Sequence, residues 1–296
     1  MGARRENGPV ATLPEIGPRG PAHGAQRYRF VSKIEDFLSR LAREPAVLVS
    51  VDSTRGSAPR EQGAWMAVFA QGAVGTIGGG HLEFQAIDMA RARLAGAAGE
   101  SVLRFALGPS LGQCCGGVVF LRFEVATAAD APGLRRRIAQ QLTPVALFGG
   151  GHVGAALARV IAMLPFALTW IDSRDGIFPD DIPADVCCEY SDPVQSAVRD
   201  LAPGSRLIIM SFSHAEDLDI VAAALARQRE RGDLPYIGLI GSKTKWATFR
   251  HRLAARGFTP EELAHVTCPI GIAGITGKEP EVIAVAAAAQ LLQVST

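Results

Sequence analysis

The sequence lacks the features that would mark a membrane or nucleic-acid-binding protein. Its 296 residues carry a formal net charge of +1, with a hydrophobic fraction of 48% and a charged fraction of 20%. These values are typical of a globular protein that lacks the positive electrostatic field needed to attract nucleic acid. It also has no apolar run of the roughly 18 residues that a spanning helix needs, since the stretch 282–294 is shorter and contains Gln290 and Gln293. We therefore expect no nucleic-acid partner and no membrane span.

Cysteine is scarce, and its arrangement excludes a disulfide framework. The chain has five cysteines, which form two adjacent pairs and one single residue, Cys268. Neighbouring Cα atoms lie about 3.8 Å apart, closer than the roughly 4.4–6.8 Å of ordinary disulfides, so adjacent cysteines are expected as free thiols. The start of the sequence does not show the charged and then apolar pattern of a secretion signal. We therefore expect a cytoplasmic protein.

One cysteine pair is set among glycines. Cys114 and Cys115 lie in the sequence Leu-Gly-Gln-Cys-Cys-Gly-Gly at 111–117, where glycine lets a ligand approach the backbone closely. Thiolates are ligands for soft metals, so this stretch is a candidate loop that presents sulfur to a metal or cofactor. The alternative is that both cysteines are small buried apolar residues at the start of a strand predicted over 118–124.

Composition and pattern divide the chain into a tail and two domains. Residues 1–28 are rich in glycine and proline and cannot bury enough apolar surface to order themselves, so a disordered tail is predicted. Strand and helix patterns predict an α/β domain over 29–127 and a Rossmann-like doubly wound parallel sheet over 144–296. A linker helix is predicted at 128–143. The fold class is therefore α/β, with two domains.

The first predicted strand leads into a candidate anion site. Helical spacing of apolar residues over 30–41 predicts an amphipathic helix, and 47–51 has the composition of a buried strand. The stretch 52–60 is polar, contains glycine and proline, and carries Arg55 and Arg60. Two guanidinium groups on a loop at a strand end suit an anion, although a merely solvated turn has the same composition.

A glycine-rich turn precedes the next helix. The sequence Thr-Ile-Gly-Gly-Gly-His at 76–81 leads into a helix predicted over 82–94. The N–H groups and dipole of a helix N-terminus favour an anion, and glycine lets it come close. Ordinary first-turn chemistry explains an acid there equally well, and a zinc deaminase motif is incomplete because no Pro-Cys-x-x-Cys follows. The candidate binding residues are Gly79, Gly80, His81 and Glu83, and the predicted apolar face of the helix is Leu82, Ala86, Met89 and Ala90.

The second domain opens with a dinucleotide-binding pattern. An apolar strand at 145–148 is followed by Gly-Gly-Gly-His-Val-Gly at 149–154, which fits G-x-G-x-x-G, and then by residues of helical character. Asp172 closes the next predicted strand, where a carboxylate meets a ribose 2′-hydroxyl in this fold, whereas Arg174 would suit a 2′-phosphate. NAD, NADP and a Rossmann scaffold without a ligand all stay open. The candidate residues of this site are Gly149, Gly151, His152, Gly154 and Asp172.

The rest of the chain alternates between strands and helices, as a doubly wound sheet requires. His214 follows a strand predicted to end at Met210, at the edge where open α/β sheets bind ligands. It is therefore a site candidate, although a helix start explains it equally well. Cys187 and Cys188 fall within an apolar strand and are expected in the core. Strands are predicted at 185–188, 207–210 and 237–240, and helices at 194–201, 216–231 and 243–256.

Four of these stretches together resemble the XdhC/CoxI family, the xanthine dehydrogenase accessory proteins. They are Arg-Gly-Ser-Ala-Pro-Arg at 55–60, Thr-Ile-Gly-Gly-Gly-His-Leu-Glu at 76–83, Gly-Gln-Cys-Cys-Gly-Gly at 112–117 and Phe-Gly-Gly-Gly-His-Val-Gly at 148–154. The resemblance runs from about residue 30 to the C-terminus. It implies an N-terminal XdhC/CoxI domain that carries the Gln-Cys-Cys loop, joined to a C-terminal Rossmann domain.

The resemblance also implies a function in the maturation of a molybdenum enzyme. A protein similar to this family binds the molybdenum cofactor, molybdopterin, and protects it while a cysteine desulfurase helps to replace an oxo ligand by sulfur. It then delivers the cofactor to the apoenzyme of xanthine dehydrogenase or a related molybdenum hydroxylase. This role is that of a cofactor-binding chaperone more than that of a turnover enzyme. We expect a homodimer, because two-fold oligomers are common among soluble proteins.

The chemistry of the candidate residues agrees with that role. A molybdenum centre held by a dithiolene is soft and anionic, so the thiolate of Cys114 or Cys115 suits the metal. Cys114 is expected as the principal sulfur ligand, with Gln113 and Cys115 shaping the loop. The phosphate of the pterin would sit on the backbone N–H groups of either glycine-rich turn, with Arg55 or Arg60 assisting.

Two other functions stay open. The glycine turn with Asp172 suggests an NAD(P)-dependent oxidoreductase, in which His214 and the cysteine loop would supply the hydride-acceptor site, but the sequence shows no separate proton relay with convincing spacing. The adjacent thiols by themselves suggest a metal or redox sensor. Absorption and fluorescence spectra of the protein would distinguish the three functions, because they would show bound pterin, bound nicotinamide or no bound chromophore.

Overall fold

The structure, a computed structural model, describes residues 33–107, 116–139, 142–183 and 186–295. Its strands form two sheets, one of five strands in the first part of the chain and one of six strands in the second. The predicted α/β class, with a Rossmann-like sheet in the C-terminal part, is confirmed. The tail predicted at 1–28 and the predicted site residues Gln113, Cys114 and Cys115 lie outside the described residues.

The first sheet is antiparallel and contains β1 (Ala46–Arg55), β2 (Trp65–Val68), β3 (Ala73–Gly75), β4 (Val102–Ala106) and β5 (Val118–Ala126). In space the order is β3-β2-β1-β5-β4, so the two longest strands lie together inside the sheet. They pair from Ala46 opposite Ala126 to Arg55 opposite Val118. The cysteine-bearing segment, 108–115, therefore connects two neighbouring strands, β4 and β5.

Alternation along β1 sends its side chains into two cores. The helices of this part are α1 (Lys33–Leu41), α2 (Gly80–Leu94) and α3 (Ala131–Ala139). Val47 and Val49 pack with apolar side chains of α2, whereas Leu48 packs with those of α1 and α3. Burial of each valine side chain contributes about 1.5–3 kcal/mol. Because successive side chains of a strand point to opposite faces, β1 packs against helices on both faces of the sheet.

The second sheet is parallel and contains β6 (Thr143–Phe148), β7 (Phe166–Asp172), β8 (Cys187–Tyr190), β9 (Arg206–Ile209), β10 (Tyr236–Leu239) and β11 (Val266–Thr267). In space the order is β11-β10-β9-β6-β7-β8. The chain therefore builds one half of the sheet outward from β6, returns, and builds the other half from β9. Ligands of such sheets bind in the crevice where the order reverses, at the carboxyl ends of β6 and β9.

Helices cover both faces of the parallel sheet: α4 (His152–Ile161), α5 (His214–Arg231), α6 (Lys243–Ala255), α7 (Pro260–Leu263) and α8 (Pro280–Gln293). The helices α4 and α8 share one core, and α5, α6 and α7 share the other. Side chains of Ser213 and Ser242 accept the N–H groups that open α5 and α6. Within the described ranges, every helix is too short or too polar to span a membrane.

The structure corrects three local predictions. The sequence predicts a loop over 52–60, but β1 continues through Arg55 because these residues pair with β5 beyond a bulge. Cys187 and Cys188, predicted in the core, are exposed because β8 is the edge strand of its sheet. Met89, predicted on the apolar face of α2, is 36% exposed, since that face is narrower than the sequence pattern suggests.

Candidate functional site

The predicted site residues include two groups at opposite ends of β6. Arg60 lines a cavity of about 660 Å³ between the two parts of the chain, together with Thr143 at the amino end of β6. The glycine turn, 149–154, follows the carboxyl end of the same strand, about 20 Å away at roughly 3.3 Å per residue. Asp172 and His214 lie at that carboxyl edge. Within one chain the two groups therefore form separate sites.

The described residues on either side of the cysteine-bearing segment lie close together, and Gly117 packs against the end of β1. The N–H of Leu107 donates a hydrogen bond of 2.8 Å to the carbonyl oxygen of Gly117, two residues after Cys115. A Cβ atom on Gly117 would lie 2.3 Å from the carbonyl oxygen of Ser57 and 2.7 Å from that of Arg55. Only glycine allows such an approach. The chain therefore returns from the cysteines to the sheet directly beside Arg55.

The two arginines of this region differ in charge environment. Arg60 donates from Nη2 to Oε1 of Glu61 at 3.0 Å and from Nε to Oε2 at 3.3 Å. The hydrogen bond to Glu61 raises the pKa of Arg60, burial opposes this, and the charge of Glu61 adds to it. Arg55 is exposed, and its guanidinium carbon lies 5.6 Å from the centroid of the Phe120 ring. Across the described ranges no carboxylate pairs with Arg55, which therefore presents an unneutralised positive charge.

The glycine-rich turn before α2 is organised by Glu83. Oε2 of Glu83 accepts hydrogen bonds from the N–H of Ile77 at 3.1 Å and from that of Gly79 at 3.0 Å. The same oxygen accepts from Oγ1 of Thr76 at 2.5 Å, and Thr76 in turn accepts the N–H of Gly78. The backbone N–H groups of Ile77, Gly78 and Gly79 are thus engaged inside the protein. Glu83 occupies them with a carboxylate where an external anion would otherwise bind.

Gly80 and His81 open α2 beyond this turn. Gly80 has a φ of 64°, in the left-handed region that favours glycine. His81 is exposed, and its Nε2 lies 3.2 Å from Nε2 of Gln85 in the next helical turn. No side chain caps α2 at Gly79, so the positive end of its dipole stays close to His81, with the negative charge of Glu83 nearby.

The glycine turn after β6 is packed so closely that side chains are excluded from two of its positions. A Cβ atom on Gly149, which has a φ of 122°, would lie 2.0 Å from the carbonyl oxygen of Met210. A Cβ atom on Gly154 would lie 2.0 Å from the carbonyl oxygen of Gly149. At Gly151, the residue before α4, no described atom lies within 4 Å of the Cβ position. The turn therefore leaves room for a ligand at Gly151, next to the uncapped start of α4.

Asp172 is 2% exposed, and protein donors bind both of its carboxylate oxygens. Oδ2 accepts from the N–H of Gly150 at 2.5 Å and from Nη2 of Arg174 at 2.9 Å. Oδ1 accepts from the backbone N–H of Arg174 at 2.8 Å and from its Nε at 2.9 Å. Burial raises the pKa of Asp172, but the hydrogen bonds from Arg174 and Gly150 outweigh burial and bring the pKa below its ordinary value. A ribose hydroxyl therefore reaches Asp172 only by displacing Arg174.

Three residues that sequence analysis does not single out border the same crevice. Oγ of Ser173 donates to Oε1 of Glu216 at 2.6 Å. Oε2 of Glu216 is buried and finds no hydrogen-bond partner among the described residues. The guanidinium carbon of Arg174 lies 4.7 Å from the ring centroid of Phe212, a ring that is 68% exposed. An acid in the first turn of a helix is so common that the residue type alone could not identify Glu216.

The predicted histidines of this edge differ in position. His152 is the first residue of α4 and is exposed. The ring of His214 packs edge-on against Phe249 of α6, with 6.2 Å between centroids, and borders a cavity of about 320 Å³. Because α6 follows β10, this cavity lies on the other side of β9 from the glycine turn. His214 is therefore directed away from the turn.

A buried ion pair links the loops that follow β9 and β10. Nζ of Lys245 lies 2.5 Å from Oδ2 of Asp217, and the two side chains are 10% and 3% exposed. Oδ1 of Asp217 accepts from the N–H of Ser211 at 2.8 Å. Nζ of Lys245 also donates to the carbonyl oxygen of Ile240 at 2.8 Å. The pair thus holds both loops in place, and loss of either partner would leave a buried charge unpaired.

The described residues offer no converging metal ligands. Across ranges 33–107, 116–139, 142–183 and 186–295, no three His, Cys, Asp or Glu side chains come together to hold a metal ion. Cys187 and Cys188 are both exposed, but neighbouring residues of a strand point to opposite faces of a sheet. Partial burial of its sulfur, with the neighbouring Cys187 adding to it, raises the pKa of the Cys188 thiol. The thiols predicted to bind metal, Cys114 and Cys115, lie outside these ranges.

Two family models match the chain. One, described as the XdhC Rossmann domain, matches residues 145–291. The other, described as the XdhC and CoxI family, matches residues 39–106. The first match covers the parallel sheet and the second covers most of the antiparallel one, so both parts of the molecule carry the likeness.

Individual proteins are similar over most of the chain. The uncharacterized protein YqeB of Escherichia coli K12 is 28% identical over 261 residues, which make up 84% of this chain and 43% of YqeB. The chain thus spans less than half the length of this curated relative. A crystal structure of a xanthine dehydrogenase from Bacillus halodurans has a TM-score of 0.66 at 19% identity, over 90% of this chain and 96% of that one. At this identity the likeness establishes a shared fold.

Proposed function

The chain belongs to the XdhC and CoxI family, and on this premise we propose that it is an accessory protein in the maturation of a molybdenum enzyme. In this role it binds the molybdenum cofactor, supports its sulfuration by a cysteine desulfurase, and delivers it to the apoenzyme. The client is xanthine dehydrogenase or a related molybdenum hydroxylase. The family and a structural neighbour named a xanthine dehydrogenase support this enzyme system.

The juxtaposition of Arg55 with Gly117, which follows the cysteine-bearing segment, carries the proposal. Gly117, two residues after Cys115, packs on the backbone of Arg55 and Ser57. Arg55 is exposed, and no described carboxylate neutralises it. A dithiolene cofactor with a phosphate is anionic and soft. A thiol and an unpaired guanidinium together would form a donor set that fits both of these properties.

The chain's own residues hold and orient the cofactor. When bound, the cofactor supplies the redox-active molybdenum that the client enzyme needs. The thiolate of Cys114 would be the principal ligand, with Gln113 and Cys115 shaping the loop around it. Arg55 would neutralise the phosphate, a role that suits its planar donor fork. Arg60 is less suited because Glu61 already holds its guanidinium.

The two glycine-rich turns differ as phosphate sites. The turn before α2 already donates its N–H groups to Glu83 and Thr76. Both turns precede a helix without a side-chain cap and have open space at the glycine before it, but the helix after β6 has no acidic residue in its first turn, whereas α2 has Glu83. We therefore assign a phosphate-bearing ligand to the turn after β6. That turn lies about 20 Å along β6 from Thr143, which lines the same cavity as Arg60, so this ligand is separate from one held in the Arg60 cavity.

An NAD(P)-dependent oxidoreductase is the weaker candidate function. Asp172 is bound at both oxygens by protein donors. His214 packs against Phe249 on the far side of β9 and so does not stand over the glycine turn. The described crevice therefore has features of a binding site but does not bring His214, the histidine expected at the hydride-acceptor site, over the glycine turn.

A delivery assay tests the proposal. The chain is incubated with molybdenum cofactor, a cysteine desulfurase and cysteine as the sulfur source, desalted, and mixed with a xanthine dehydrogenase apoenzyme, and oxidation of xanthine is followed. We expect activation by the wild type and little activation by Cys114→Ala. Cys187→Ala removes an exposed thiol from the other part of the chain and is the matched control, expected to activate like the wild type. Equal activation by all three proteins would refute the role of Cys114, and no activation by any of them would refute delivery.

A further inference from the structure

The charges of two carboxylates, Asp172 and Glu216, act on Arg174, and these carboxylates differ in how fully they are hydrogen-bonded. Asp172 has hydrogen-bond partners at both oxygens, and the side chain of Arg174 supplies two of these bonds. Glu216 accepts at Oε1 from Ser173, but its buried Oε2 has no partner among the described residues. A buried carboxylate oxygen without a donor is destabilising. The arrangement therefore gives both oxygens of Asp172 hydrogen-bond donors and leaves one oxygen of Glu216 without a donor.

Arg174 is placed so that its guanidinium can move from Asp172 to Glu216. Ser173, the residue between Asp172 and Arg174, is the one that binds Glu216, at 2.6 Å. The hydrogen bond to Asp172 raises the pKa of Arg174, and the charges of Asp172 and Glu216 add to this. The side chain of Arg174 is 33% exposed and lies against the exposed ring of Phe212. It therefore has room to move along the crevice without unpacking the core.

We propose that Arg174 is a specificity-determining latch of a ribonucleotide site in the crevice between β6 and β9. Without a ligand, Arg174 pairs with Asp172 and closes this carboxylate. When a ribonucleotide enters, its 2′- and 3′-hydroxyls donate to Asp172, and Arg174 transfers to the unbonded oxygen of Glu216. Both arrangements keep the guanidinium paired and give each carboxylate donors, which limits the cost of the exchange.

The crevice offers a place for a phosphate at one end and for a diol at the other. The first N–H groups of α4 have no side-chain cap, and the helix dipole there favours a phosphate. No described atom would contact a Cβ on Gly151, which leaves space for it. The N–H of Gly150 donates to Asp172 at 2.5 Å and so ties the carboxylate to the phosphate-binding turn. Ribonucleoside diphosphates and dinucleotides carry both groups.

The latch predicts opposite effects on ribonucleotide affinity for the loss of Arg174 and for the loss of the charge of Glu216. Because the ligand-free chain holds the latch closed, the apparent affinity is lowered in proportion to the fraction of molecules that are open. Removal of the Arg174 side chain abolishes the closed state and raises the affinity for the ribonucleotide. Removal of the charge of Glu216 destabilises the open state and lowers the affinity. A merely structural ion pair would not produce changes of opposite sign.

Calorimetric titration of the full chain with ADP, GDP, CDP and UDP tests the proposal, with the 2′,3′-dideoxy forms as ligand controls. We expect Arg174→Ala to bind its preferred ribonucleoside diphosphate about tenfold more tightly than the wild type, and Glu216→Gln to bind it about tenfold more weakly. Asp172→Asn should lose the preference for the diol. Arg159→Ala removes a surface arginine that pairs with Asp181, and it should bind like the wild type.

Three results would overturn the proposal: no binding of any of these diphosphates to Arg174→Ala, equal binding of the dideoxy forms, or unchanged binding to Glu216→Gln. Thermal unfolding of each variant is measured alongside. If Arg174→Ala is unfolded, Arg174→Gln replaces it, because glutamine keeps a neutral donor for Asp172 and should still bind more tightly than the wild type. The inference goes beyond the molybdenum function and uses no molybdenum, so its failure leaves that function untouched.

Discussion

The indole Nε1 of Trp170 donates a hydrogen bond of 2.8 Å to the carbonyl oxygen of Gly149, and both residues are buried. This bond joins the first residue of the glycine turn to the middle of β7. The same carbonyl oxygen lies 2.0 Å from the position that a Cβ atom on Gly154 would take. The turn is therefore a rigid part of the sheet edge, and its shape depends on glycine at defined positions.

We expect Gly154→Ala to lower the free energy of unfolding by about 1–3 kcal/mol or more, because the new methyl group cannot fit against the carbonyl oxygen of Gly149. Gly151→Ala is the matched control in the same turn, since no described atom occupies its Cβ position. It should cost no more than about 1 kcal/mol, the effect of alanine at a helix N-cap. Urea unfolding followed by tryptophan fluorescence measures both. Equal losses in the two variants would contradict this account of the turn.

The stabilising contribution of Asp172 should depend on pH. Its pKa in the fold lies below the ordinary value of 3.8 because Arg174 and Gly150 donate to the carboxylate more strongly than burial disfavours it. A depressed pKa gives stability that is present above the ordinary pKa and is lost as the pH falls through the folded value. The advantage of the wild type over Asp172→Asn should therefore be largest near neutral pH and shrink below about pH 4.

Urea unfolding of both proteins from neutral pH to about pH 3.5 checks this dependence. Asp181→Asn serves as the control, because its carboxylate forms a surface ion pair with Arg159 at 3.1 Å and contributes little to stability. A difference between wild type and Asp172→Asn that stays constant over this range would mean that Asp172 is not stabilised in its charged form.

Arg55 and Arg60 should differ in their effect on cofactor binding. A charge-assisted hydrogen bond to phosphate is strong enough that Arg55→Ala should weaken retention of molybdenum cofactor by about tenfold or more. Arg60→Ala should have a smaller effect, since Glu61 already holds that guanidinium. Equilibrium dialysis with molybdenum analysis compares the two variants. A larger effect of Arg60→Ala would show that the cofactor lies toward the cavity between the two parts of the chain.

The thiol of Cys268 should react slowly at neutral pH. Burial raises its pKa from 9.0 to about 11, although the positive charge of Lys245 opposes this. The thiolate is the reactive form, so the rate of maleimide labelling should rise about tenfold for each pH unit up to about pH 10. Peptide mass spectrometry separates Cys268 from the exposed Cys187. A rate at Cys268 that levels off near pH 9 would show that its thiol is not buried in this way.

The longer elements could be predicted from sequence because their apolar residues repeat with a clear period. Helices such as α2 and strands such as β6 and β7 carry enough residues for this pattern to appear. The strands β3 and β11 contain too few residues for a period, and pairing with neighbours defines them. Cys187 and Cys188 illustrate the same limit, because only the strand order makes β8 an edge.

The candidate site could be predicted less fully than the fold. The glycine spacing and Asp172 predicted the crevice where the strand order reverses, since the sequence order of strand, glycine turn and helix determines that edge. The partner of Asp172 did not follow from spacing, because Arg174 was equally suited to bind a ligand phosphate. Glu83 poses the same problem: its carboxylate serves the turn before α2, and residue type alone does not distinguish that role from ligand binding.

Retention of molybdenum and pterin by the purified chain tests the proposed function most directly. The protein and Cys114→Ala are each incubated with molybdenum cofactor and desalted, and molybdenum is measured by elemental analysis and pterin by fluorescence after oxidation. The proposal predicts that the wild type and Cys187→Ala retain metal and pterin in equal amounts and that Cys114→Ala loses both. Absence of metal and pterin from the wild type, or full retention by Cys114→Ala, would contradict it.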